Sequence, residues 1–101
     1  MDLPAFRASL ADPAPPAGLV PALAALWWDA RGDWQAAHEA VQAHEGTAQA
    51  DRVHAYLHRK EGDLSNAGYW YRRAGAKPCT GALEAEWEAI AIQLLAEAAP
   101  R

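Results

Sequence analysis

The dipeptide Gly-Asp occurs at Gly32-Asp33 and again at Gly62-Asp63, thirty positions apart, and each copy lies between two stretches of helical spacing. Glycine ends one helix in a left-handed residue, and aspartate caps the next through its carboxylate. A chain punctuated twice in this way at equal spacing is constrained to fold as two helical hairpins of matching length. Aligned on the turns, Leu23-x-x-Leu26-Trp27 falls against Val53-x-x-Tyr56-Leu57. Trp34-x-x-Ala37-x-x-x-Val41 likewise falls against Leu64-x-x-Ala67-x-x-x-Tyr71. Apolar positions match throughout, and the small Ala37 and Ala67 mark where two helices can approach closely.

Ala67-x-x-x-Tyr71 followed by Ala74 resembles the second-helix signature of the tetratricopeptide repeat and its Sel1-like relatives, whose units run to about 34 residues. The resemblance spans roughly residues 19 to 78, with Pro78 near the place of the family's terminal proline. Where that family carries Trp, Leu, Gly and Tyr in its first helix, the second unit here has Asp51, His54, Ala55 and His58. The segment HAYLHRKEGDLSNAGYWYRRAG, residues 54–75, also resembles the hallmark of a family of small proteins that brings no assigned activity. The resemblance to the tetratricopeptide repeat implies an all-α fold of two stacked hairpins, closed by a capping C-terminal helix and preceded by a short N-terminal one. It also implies a groove lined by the first helix of each unit.

At 101 residues the chain has room for one core. Residues 1–18 are expected as an N-terminal flap and Pro-rich linker, and 19–101 as a single domain. The 51% hydrophobic content includes 26 alanines against 15 Leu, Ile or Val, which favours close-packed helices. Trp27, Trp28, Trp34, Trp70 and Trp87 are therefore the expected bulk of the core. The single cysteine, Cys79, excludes an internal disulfide and fits a reducing, cytoplasmic setting. No leader or membrane-spanning segment is expected.

Helices are expected over 19–31, over 34 to about 45, from Thr47 to Glu61, from Asp63 to Ala74, and after Thr80. A short helix opens at Asp2 and Pro4. The first long helix is apolar around much of its circumference, which suits a central place in the fold or a homodimer interface. Glu84, Glu86, Glu88 and Glu97 of the last helix are expected on a solvated face.

His54-x-x-x-His58 places two imidazoles on one helical face, where the resembling family has apolar or aromatic residues. His38 and Glu39 on the preceding helix can face them, and Glu61 continues their row. A metal set drawn from His38, His54, His58 and Glu61 or Glu39 would suit Zn²⁺. As a catalytic pocket, the candidates are His38, His54, His58 and Glu39, with His54 or His58 as general base. Imidazoles that merely pack, bonded to a carbonyl or carboxylate, account for the same residues and are the preferred reading. No cofactor is therefore expected from the sequence.

Residues 52–77 carry a net charge of +4 in a chain of net −4. Arg52, Tyr56, Arg59 and Lys60 would line the groove and suit a carboxylate or phosphate. The opposing reading, preferred for these charges, is that they merely balance the acidic helix 82–98 and other Glu and Asp residues. With a sequence pI near 5.4, nucleic acid is an unsuitable partner. The sequence thus reads as a binding module for a peptide segment or small anionic ligand, with a histidine-lined enzyme or metal site as the alternative.

Overall fold

The computed structural model describes residues 1–98, so the expected domain end at 101 lies outside the described residues. The described chain is all-helical: α1 (Leu3–Ser9), α2 (Pro21–Ala30), α3 (Trp34–Gln42), α4 (Ala48–Glu61), α5 (Leu64–Ala74) and α6 (Leu83–Ala98). Helices α2 and α3 form one hairpin, α4 and α5 a second, and the two pack through α3 and α4 and through α2 and α4.

The two Gly-Asp turns are built alike. Gly32 and Gly62 both take left-handed backbones, with φ of +81° and +92°. Asp33 Oδ1 accepts from the Ala36 amide at 3.0 Å, and Asp63 Oδ1 accepts from the Asn66 amide at 3.2 Å. The backbone amides of Asp33 and Asp63 each donate at 2.9 Å, to the carbonyls of Trp28 and His58 respectively. Thr47 caps α4 as expected, accepting from the Ala50 amide, and Gly75 ends α5 in a left-handed residue. Two helices differ from expectation: that expected over 19–31 spans only Pro21–Ala30, and α3 stops at Gln42 and gives way to turns before Gly46.

Helix α2 is central, and its apolar circumference is covered from within the chain by α3, α4 and α6. Leu23, Leu26 and Trp27 are fully enclosed. Helix α6 closes the open side of both hairpins, where the Trp87 indole N–H donates to the Leu26 carbonyl at 3.0 Å. Helix α1 belongs to the same core. Phe6 is completely buried against Trp87, and the Trp27 indole N–H reaches Ser9 Oγ at 3.2 Å. Arg31 bonds the carbonyls of Leu10 and Asp12, which ties the linker down. Burying Phe6 contributes about 2 kcal/mol, so the opening segment is held as part of the body.

Of the five tryptophans, Trp27, Trp70 and Trp87 are buried, whereas Trp28 and Trp34 are half-buried. The correction for Glu86 is larger. Expected on a solvated face, it is enclosed between the second hairpin and α6. Its position in the helix explains this, because Glu86 lies one turn before Ile90 and two before Leu94, on the buried stripe.

Candidate functional site

Helix α4 carries three kinds of chemistry on different faces. His54 and His58 point toward α3 and α5, Arg52 and Arg59 toward α6, and Tyr56 and Lys60 toward α2.

The histidine face meets His38 from α3. His38 Nε2 and His54 Nε2 are 3.1 Å apart. The ring centroids of His38, His54 and His58 form a near-equilateral triangle, with separations of 4.8, 4.9 and 5.2 Å. One nitrogen from each ring lies within 4.8 Å of the other two. Tryptophans hold the outer rings. Trp34 stacks on His38 at 4.9 Å and 9°, and its indole N–H is fixed by the Leu57 carbonyl at 2.9 Å. Trp70 stacks on His54 at 3.9 Å and 19°.

Two Nε2 atoms at this distance can hold only one proton between them, since two N–H groups would point at each other. Burial, then the neighbouring His58 and His38, pushes His54 down to about 4. Burial, then His58, also lowers His38, against the opposing pull of Glu61 and Glu39. His38 and His54 are therefore neutral near pH 7 and present lone pairs. His54 Nδ1 is buried without a hydrogen-bond partner. An unmet buried polar atom costs about 1–3 kcal/mol, a cost that ligation through the opposite nitrogen, Nε2, would not relieve.

His58 Nδ1 lies 3.3 Å from Glu61 Oε1. Glu61 falls outside the three-histidine group and forms a separate one with His58 and Asp63. The expected metal set is thus brought together at its three histidines, with Glu61 on the far edge of the His58 ring. Glu39 accepts from Gln35 and acts on His38 only through its charge.

The arginine face is closed. Arg52 Nη1 and Arg59 Nη1 each donate to Glu86 at 2.7 Å, and the Tyr71 hydroxyl donates to the same carboxylate at 2.5 Å. Burial alone would raise the Glu86 carboxyl, but the bonds from Tyr71, Arg59 and Arg52 outweigh it and hold the group below its usual range. Arg52 also donates to Cys79 Sγ at 3.4 Å, and Arg59 bonds the Gly81 carbonyl. Both arginines, weighed in the sequence between a groove and the balancing of the acidic helix 82–98, neutralise a buried acid on α6.

Tyr56 and Lys60 converge on Asp29, a buried carboxylate that the sequence reading passed over. The Tyr56 hydroxyl donates at 2.8 Å and Lys60 Nζ lies at 2.9 Å. Burial first, and then Asp29, pushes the Tyr56 hydroxyl well above its ordinary pKa, so it remains a donor. This pair borders a cleft of about 790 Å³ between α1, α2, α4 and α6, with Arg7, Trp87 and Glu84 on its walls. The signal for Asp29 was its register, one turn after Ala25 and Leu26 on the buried side of α2.

Comparisons of the chain with protein families, with curated proteins and with solved structures find no match.

Proposed function

We propose that this protein binds one divalent transition-metal ion of the Zn²⁺ class through His38, His54 and His58. The observation that carries the reading is the triangle of imidazoles itself, with one nitrogen from each within 4.8 Å of the others. Neighbouring ligands on a tetrahedral zinc with 2.0–2.1 Å bonds are roughly 3.3 Å apart, close to the 3.1 Å between the His38 and His54 nitrogens. Neutral imidazole is the form that ligates, and burial supplies it without a metal present. Glu61 takes the Nδ1 edge of His58, which leaves Nε2 for the ion and matches the carboxylate–histidine–metal pattern. The ligands come from α3 and α4, so the ion would also clamp the two hairpins together.

Isothermal titration of chelator-treated protein with Zn²⁺ tests this. Binding of one ion per chain is expected, weakened at least tenfold by His38→Ala, His54→Ala or His58→Ala. Equal zinc uptake by the chain lacking all three imidazoles would overturn the proposal.

A second reading places a small ligand or peptide segment in the cleft beside Tyr56 and Lys60. It is supported by the cleft's volume and by Lys60, whose ammonium has donors to spare beyond Asp29. Chemical-shift changes at Lys60, Asp29 and Trp87 on adding a mixture of short carboxylates would support it. Unchanged shifts at millimolar concentration would remove it.

A further inference from the structure

Resting on the metal reading, we infer that an ion held by these histidines keeps one exchangeable coordination position, open to water or a small monodentate anion. Four-coordinate zinc sites divide by ligand count. Structural sites close all four positions with protein atoms, whereas reactive ones use three and leave the fourth to solvent. Here the group within mutual reach contains three ring nitrogens and no fourth His, Cys, Asp or Glu ligand atom among the described residues. Glu61, the nearest carboxylate by sequence, is engaged on Nδ1 of His58, the ring edge that faces away from Nε2. Asp63 joins Glu61 on that same side and is further occupied in capping α5. Both group with His58 alone and not with the set of His38, His54 and His58.

The direction of the open position follows from burial. His54 and His58 are buried, and the rings of Trp70 and Trp34 cover the outer faces of His54 and His38. His38 alone of the three is half-exposed, so solvent reaches the triangle along its side. The occupant is small, because the rings of Trp34 and Trp70 stack on His38 and His54 and crowd the triangle. Near the rim, the Asn66 amide nitrogen sits 3.4 and 3.5 Å from the two nitrogens of His58. It cannot make a good bond to both, which leaves a donor N–H for an anion on the ion.

Co²⁺ replaces zinc as a visible reporter, and azide serves as the probe anion. Titrating the full chain with Co²⁺ is expected to give the intense visible bands of a low-coordinate site, absent from His38→Ala. Adding azide to the loaded protein is then expected to shift those bands saturably, with weaker azide affinity in Asn66→Ala. If Co²⁺ binds with intense bands that azide leaves unchanged, the exchangeable position is refuted and the metal reading stands. If Co²⁺ produces no bands that depend on His38, both fall together. Far-ultraviolet circular dichroism of each variant separates loss of the site from loss of the fold.

Discussion

The arginine face and the histidine face of α4 share one helix and opposite electrostatic outcomes. On the first, every charge is answered: two guanidinium groups and a phenol converge on Glu86, and nothing is left to meet a ligand. On the second, three imidazoles crowd together, one buried nitrogen has no partner, and the nearest carboxylate serves only one ring. Charged residues in a stripe were the more conspicuous feature of the sequence, yet they close the fold. The quieter feature is the one whose three ring nitrogens lie within ligating reach of one another, and that juxtaposition is what points to a ligand.

Removing the acid is the most direct way to break the comparison. Glu86→Ala leaves Arg52 and Arg59 facing each other across a desolvated gap, and loss of one member of a buried ionic group costs about 3–5 kcal/mol. Urea denaturation should show that loss, enough to unfold much of a marginally stable domain. A change below about 1 kcal/mol would mean that the arginines find water, and that the face is open after all.

Acid separates the two faces by pH. His54 has a folded pKa near 4 against 6.5 in the unfolded chain, so the unfolded state binds more protons between those values. The stability it contributes is complete above 6.5 and is lost as pH falls toward 4, a total on the order of 3 kcal/mol. Glu86 behaves differently. Its lowered folded pKa means that its contribution is lost only below the ordinary value of 4.5. Urea midpoints of chelator-treated protein from pH 7.5 to 4.5 should therefore fall in the wild type and fall less in His54→Leu, where only the lowered His38 remains. A parallel fall in both would assign the acid sensitivity elsewhere.

Zinc should restore what acid removes. An ion that binds only the folded chain stabilises it by about 2.7 kcal/mol at a free concentration one hundred times its Kd. The Tm of wild type should rise accordingly, while that of His38→Ala stays where it was. The clamp between α3 and α4 makes this a test of hairpin docking as well as of ligation.

How far these features were legible in the chain depended on how local each one is. The hairpins were, because Gly32-Asp33 and Gly62-Asp63 carry their turn chemistry within a few residues. The meeting of His38 with His54 and His58 was legible as one arrangement among several, since helical spacing fixes the pair on α4 but not the docking of α3. Glu86 and Asp29 were misplaced or missed because a carboxylate's burial is decided by partners 15 to 34 residues away. Reading Glu86 by its charge hid what its register with Ile90 and Leu94 already indicated. The same holds for Asp51, which is buried and accepts from the Gly46 amide at 3.0 Å, pinning the loop before α4.

The smallest expected effect tests the symmetry beneath both faces. Asp33 and Asp63 make the same capping bond at corresponding turns, so Asp33→Ala and Asp63→Ala should each cost about 1 kcal/mol. The two share no partner, and the double variant should lose the sum within roughly 0.5 kcal/mol. Their functional consequences should nevertheless differ. The turn at Asp63 joins α4 to α5, the helix that brings Trp70 onto His54 and Asn66 beside His58. The turn at Asp33 starts the helix that delivers His38. Both variants should therefore weaken zinc binding, Asp33→Ala more than Asp63→Ala, because a displaced ligand is felt more strongly than a displaced wall. Equal stability loss with unequal zinc affinity would separate the two turns by what they position. Unequal stability loss would show that the duplication in sequence is not a duplication in energy.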